Sequence, residues 1–370
     1  VTPLEELHWL LRPAGGGLYL VSTGRAEQLA LQRRLYRADR DDEVHDRWLE
    51  GLARLEEARA VILGIPSDVG AGYLRGANVG PQAIRERLLE ERPDWPERAR
   101  AAGVVDLGDV FVIPQLLDDE MLSAAQLDRS RRWLYPRLPE EARARLPVSP
   151  LSIAERALSL VLAVNPRAAV LALGGDHSCA WPVVKALSGA REGLGVVQVD
   201  AHTDLLEERL GVRYCYATWS YHANELLGRG GRLVQVGVRA SGRLKAHWEE
   251  AYGVRQLWAA EVNADPAAAL DRIVAELRGA GVRQVYFSND VDGTDAAEVD
   301  ATGTPEPAGL SSGFVVELVR RLGRDFTLCG GDVMEVAPPI ARTPDGARRT
   351  VGLAVRYLEA TLAAALGAPP

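Results

Sequence analysis

The alternation of short apolar runs with longer stretches of helical spacing constrains this chain more than any other feature. Residues 60–65, 103–107, 168–173, 194–199, 232–238, 283–287 and 325–328 form runs rich in β-branched residues, as expected for strands buried on both faces. Between them, residues 81–91, 152–164, 266–278 and 310–322 carry apolar residues at helical spacing. Strand and helix in repetition predict a three-layer α/β/α fold with a mostly parallel sheet. Residues 1–58 differ. From Gln28 to Leu55 the chain is charged, with Leu31, Leu35, Trp48, Leu52 and Leu55 at helical spacing, so a helical N-terminal extension is expected before a catalytic domain over 59–370. Residues 114–150 are polar and helix-prone, and fit either an insertion or an ordinary crossover.

Composition removes several classes of function. A net charge of −8 with scattered Lys and Arg disfavours a partner recognised through its phosphates, so no nucleic acid is expected. Cys179, Cys215 and Cys329 are too few and too far apart for a disulfide framework or a thiolate zinc site. No apolar run approaches the roughly 20 residues of a membrane span, and the first residues lack the pattern of a signal peptide. A cytoplasmic protein without membrane contact is expected.

Three of the strand-like runs end in clustered acids and imidazoles. Residues 168–173 lead into Gly174-Gly175-Asp176-His177-Ser178, residues 194–199 into Asp200-Ala201-His202-Thr203-Asp204, and residues 283–287 into Ser288-Asn289-Asp290-Val291-Asp292. In an open parallel sheet the carboxyl ends of the strands line one crevice, so the clusters should meet. Extended chain alternates faces, which points Asp200, His202 and Asp204 one way and lets Asp290 and Asp292 do the same. Four carboxylates brought together repel one another unless cations intervene. Two divalent ions balance the charge, and oxygen with imidazole and no thiolate suits manganese, with nickel, iron or zinc as alternatives. Such a pair can bridge a water and hold it as hydroxide for attack on an sp² carbon, which is hydrolase chemistry. A lone Asp-x-Asp at a strand end is more often a turn, and a lone His more often structural; three clusters at three strand ends reverse that weighting. The glycines of residues 70–76 lack the spacing of a dinucleotide loop.

These residues resemble the metal signatures of the arginase, agmatinase and formiminoglutamase (ureohydrolase) family, nearest to its agmatinase-like members. Gly64–Asp68, Arg75–Arg85, Asp106–Val110, Thr302–Pro307 and Asp332–Val336 resemble further family segments in order. The resemblance implies an arginase-like fold and two manganese ions held by His177, Asp200, His202, Asp204, Asp290 and Asp292, in a homotrimer or homohexamer. It implies that a bridging hydroxide attacks the guanidinium carbon, that Glu335 holds the guanidinium, and that Asp204 passes a proton to the departing amine. Asp176 and Ser178 would support the ligands.

Departures from the pattern concern the substrate. Where agmatinase-like members carry a His, this chain has Tyr216, and His222 six residues on is an unaligned substitute for proton traffic. After Val236-Gly237-Val238-Arg239 come Ala240-Ser241-Gly242, without the acids of the segment that recognises free arginine. Ala296 replaces a usual Pro. The expected activity is hydrolysis of a guanidino compound to urea and an amine, agmatinase-like with altered specificity. The alternatives are a formimino or other amidine hydrolase and a metal-binding, non-catalytic homologue.

Overall fold

The computed structural model describes residues 1–367, so the last three residues of the 59–370 division lie outside the described residues. Nine strands make one sheet: β1 (Leu11–Arg12), β2 (Ala60–Ile65), β3 (Val104–Val110), β4 (Ala169–Gly174), β5 (Leu194–Val199), β6 (Leu233–Val236), β7 (Arg255–Leu257), β8 (Gln284–Asn289) and β9 (Thr327–Val333). Their order is β1-β3-β2-β4-β9-β8-β5-β6-β7. All neighbours are parallel except β1 against β3. The central strands β2, β4 and β5 are buried at every position, which is why they read as apolar runs, interrupted in β5 by Gln198.

Each face of the sheet has its own core. Val61, Leu63, Ile65 and Val196 pack with Leu151, Leu158, Val183 and Leu187 from helices Pro150–Val164 and Ala180–Ala190. On the other face Ile62, Leu171, Val197 and Phe287 meet Ile84, Ile273, Leu318 and Leu358 from helices Gly80–Glu91, Pro266–Gly279, Ser312–Asp325 and Gly346–Ala365. Helix starts follow local chemistry. Asp265 accepts from the Ala268 N–H ahead of Pro266 at 3.0 Å, and Ser311 accepts from the Phe314 N–H at 3.2 Å, which sets the last of the expected helices two residues later than its periodicity alone.

The N-terminal segment holds helices Pro3–Leu10, Arg25–Tyr36 and Val44–Leu52. Leu7, Leu10, Leu11, Trp48, Leu52 and Leu55 are buried in the first-face core, and the Trp48 indole donates to the Leu107 carbonyl at 3.0 Å. Residues 114–150 supply helix Ala124–Leu134 and bury Leu116, Leu117, Leu134 and Tyr135 in the same core.

Candidate metal centre

The chain leaves β4, skips two positions to lay down β5, and fills the gap later with β8 and β9. The carboxyl ends of four adjacent strands therefore open on one edge, where an open α/β sheet places its ligand crevice. Gly174 and Gly175 let β4 reach it. A Cβ on Gly174 would lie 1.7 Å from the Met334 sulfur, and one on Gly175 would lie 1.7 Å from the Ser67 carbonyl oxygen. Asp176 then turns the chain by accepting the Ser178 N–H at 2.9 Å, while burial pushes its carboxyl up to about 6. The same local turn recurs where Asp200 Oδ1 accepts from His202 N at 2.6 Å and Asp290 Oδ1 from Asp292 N at 2.9 Å. An acid two residues before the next ligand thus aims both inward.

His177 Nδ1 stands 3.2 Å from Asp200 Oδ2, 3.2 Å from Asp290 Oδ2 and 3.5 Å from Asp204 Oδ2. His202 Nδ1 stands 3.1 Å from Asp292 Oδ2 and 3.4 Å from Asp200 Oδ1. Two groups suited to a metal ion result, His177 with Asp200 and Asp290, and Asp200 with His202 and Asp292. Asp200 belongs to both, offering one oxygen to each. Asp204 and Glu335 hold left-handed backbone conformations at φ of +50° and +62°, which direct both side chains from tight turns at the strand ends. Glu335 Oε1 accepts the His177 N–H at 2.9 Å, and the Trp219 indole donates to Asp204 Oδ2 at 3.1 Å.

The charged groups of this cluster act strongly on one another. Burial pushes the Asp204, Asp290 and Glu335 carboxyls well up, and neighbouring acids push them further. Burial also pushes Asp200 up, but His177 and His202 hold it well below the ordinary range. The imidazoles move the other way. Burial lowers His177 and His202, and the facing carboxylates more than reverse this, raising both. His177 Nδ1 faces its three carboxylate oxygens yet is aligned for a hydrogen bond with none. An unaligned nitrogen facing several buried carboxylates fits an ion between them better than a proton.

Support residues that the sequence did not single out lie beneath. His177 Nε2 is 3.0 Å from Ser288 Oγ, which donates to Asp332 at 2.9 Å, and Tyr286 donates to the same carboxylate at 2.8 Å. Bonds of this kind fix a ligating imidazole's orientation and tautomer. A readable signal was present in the lone polar residues inside otherwise apolar strands, since each must find a partner when buried.

Tyr216 and His222 fare differently. The Tyr216 ring lines a recess beside the loop at residues 69–73, its hydroxyl 3.2 Å from where a Gly72 Cβ would stand. The structure does not bring His222 into the cluster. Its Nε2 is 3.0 Å from the Arg213 carbonyl oxygen, and its ring packs among Trp181, Tyr214 and Tyr221. The aromatic residues of helix Trp219–Leu226 and its surroundings hold it there.

A parallel sheet that gathers imidazoles and carboxylates at its carboxyl edge defines a class, the α/β proteins with a candidate metal site at their strand ends. Within that class the chain belongs to the arginase family, whose family model matches residues 58–363. It is similar to an N(1)-aminopropylagmatine ureohydrolase from Thermus thermophilus, 33% identical over 76% of this chain and 84% of the relative. A guanidinobutyrase from Pseudomonas aeruginosa is 29% identical over 79% and 82%. Among solved structures, the proclavaminate amidino hydrolase of Streptomyces clavuligerus superposes with a TM-score of 0.64 at 29% identity, over 84% of this chain and 93% of that one. The chain is accordingly a hydrolase of the ureohydrolase type, with the arginase-like fold. Among the described residues no helix is long and apolar enough to cross a membrane.

Proposed function

We propose that this chain is a binuclear-metal amidinohydrolase that converts a guanidino compound to urea and an amine, with a specificity altered from the agmatinase-like pattern. The observation that carries this is the convergence of His177, Asp200, His202, Asp204, Asp290 and Asp292 around the shared Asp200 carboxylate. His177, Asp200, Asp204 and Asp290 would hold one ion, and Asp200, His202 and Asp292 the other. Two divalent ions, manganese by preference and nickel as the alternative, would neutralise the carboxylates and activate a water for attack on the guanidinium carbon. Glu335 offers its carboxylate to the planar guanidinium, a pairing suited to two parallel hydrogen bonds. Asp204, kept in place by Trp219, is the group that takes up a proton and returns it to the departing amine.

A recess lined by Tyr216 and the loop at residues 69–73, whose Gly70 packs against Ser178 and Asp176, supports the altered specificity. It has a volume of about 580 Å³, is walled by Val69, Leu116, Met121 and Tyr216 among others, and carries Arg209 as its single charged lining residue. The Arg209 guanidinium lies 5.2 Å from the centre of the Tyr216 ring. A cation at this wall repels the free amine of agmatine and favours a neutral or carboxylate tail. Hydrolysis of a formimino or other amidine is the second reading, favoured by Tyr216 in the position of the usual His. We further propose a cytoplasmic homotrimer or homohexamer, a setting in which the three buried cysteines stay reduced.

The test is urea release by metal-free protein reloaded with manganese, and separately nickel, on agmatine, guanidinobutyrate, arginine and guanidine. Guanidinobutyrate is expected to exceed agmatine. Release of formamide or ammonia from formimino substrates with no urea from any guanidine would favour the second reading, and silence on both panels would favour a metal-binding homologue without catalysis.

A further inference from the structure

A row of buried amides runs through the sheet to the carboxylate that both halves of the cluster share. Gln198, Gln235 and Gln256 stand in register on β5, β6 and β7, and none is exposed to solvent. The Trp258 indole N–H donates to Gln256 Oε1 at 2.9 Å, and Gln256 Nε2 donates to Gln235 Oε1 at 2.8 Å. Gln235 Nε2 donates to Gln198 Oε1 at 2.8 Å and to the Thr203 carbonyl at 2.5 Å. Gln198 Nε2 completes the row by donating to Asp200 Oδ2 at 2.7 Å, while Ser220 donates to Gln198 Oε1 at 2.6 Å.

The ends of this row decide its direction. An indole N–H can only donate, and a carboxylate can only accept. Flipping any one amide would set nitrogen against nitrogen or oxygen against oxygen and leave buried polar groups without partners. The Thr203 carbonyl, inside the loop that carries His202 and Asp204, fixes Gln235 a second time. All three amides therefore point their N–H groups toward Asp200, and aligned hydrogen bonds reinforce one another in a medium of low polarity.

We propose that Gln256, Gln235 and Gln198 form a positioning relay that sets the orientation of the Asp200 carboxylate and, through it, the affinity of the cluster for its metal pair. The inference rests on the metal-centre reading above. The competing explanation is that the row only fixes strand register, and the two differ in what they do to metal binding.

The experiment is calorimetric titration of the metal-free full chain with manganese, with the spin-exchange signature of a manganese pair followed by electron paramagnetic resonance. Thermal unfolding of each metal-free variant is recorded alongside. Gln198→Leu is expected to weaken manganese binding by roughly 10- to 100-fold, the usual effect of removing a ligand's supporting partner, and to diminish the exchange signature. Gln235→Glu keeps the size of the side chain but presents oxygen to Gln198 and Thr203, and is expected to weaken binding by about tenfold even if Gln198→Leu fails to fold. Wild-type affinity in the folded variants, or a loss that merely follows a fall in metal-free melting temperature, would overturn the relay. If the unaltered protein takes up no metal pair, the metal-centre reading itself fails, and the relay with it.

Discussion

A carboxylate buried among other carboxylates holds either a proton or a cation. Asp204, Asp290 and Glu335 are raised above their ordinary values of 3.8, 3.8 and 4.5, and His177 and His202 are raised as well. The metal-free fold thus binds more protons than the unfolded chain, so its stability is full below the ordinary values and is lost as pH rises through the raised ones. Asp200 acts oppositely, but its depressed value confines the loss to strong acid. The melting temperature of metal-free protein should therefore fall from mildly acidic to alkaline pH, and manganese should remove most of that fall while releasing protons. Melts across pH, and calorimetry in buffers of different ionisation heat, check both; a flat profile without metal contradicts the assignment. The grouped acids and imidazoles were legible in the sequence because three strand ends repeat the same chemistry. The supporting roles of Ser288, Asp332 and Gln198 were only half legible, because a lone polar residue in a buried strand must find a partner but its place in the sequence does not say which.

At the scale of elements, Arg85 ties helix Gly80–Glu91 to β3. Its guanidinium, 1% exposed, meets Asp109 at 2.6 Å and Asp106 at 2.9 Å, and Asp109 also accepts the Gly15 N–H at 2.7 Å. Arg85→Met should cost about 3–5 kcal/mol, because it leaves a buried carboxylate without its partner; urea unfolding measures the loss. The N-terminal helices cover the first-face core with Leu7, Leu10, Trp48 and Leu52, each leucine contributing on the order of 2 kcal/mol through burial. Deletion of residues 1–58 is accordingly expected to give a chain that aggregates or melts without cooperativity, and a soluble, cooperatively unfolding fragment would show that the extension is dispensable. Apolar runs gave away β2 and β5 at their observed limits. By contrast β1 and β7 span two and three residues and include Arg12, Arg255 and Gln256, so pairing with a neighbour rather than local preference makes them strands. The strand expected at 232–238 ends at Val236, where Gly237 turns to a φ of +102°.

For the whole molecule, light scattering should return three or six protomer masses if the oligomeric proposal holds, and a single protomer mass would refute it. The sheet order carries another consequence, for synthesis. Translation delivers β4 and β5 well before β8 and β9, yet the later strands are the ones that lie between them. Until Val333 has left the ribosome, the emerging chain carries two half-sheets with open inner edges, and such edges invite pairing with other chains. Glu335 arrives two residues after that. A chain cut short upstream of Val333 therefore lacks the strand that closes the sheet as well as Glu335, and leaves an inner strand edge open to pairing with other chains.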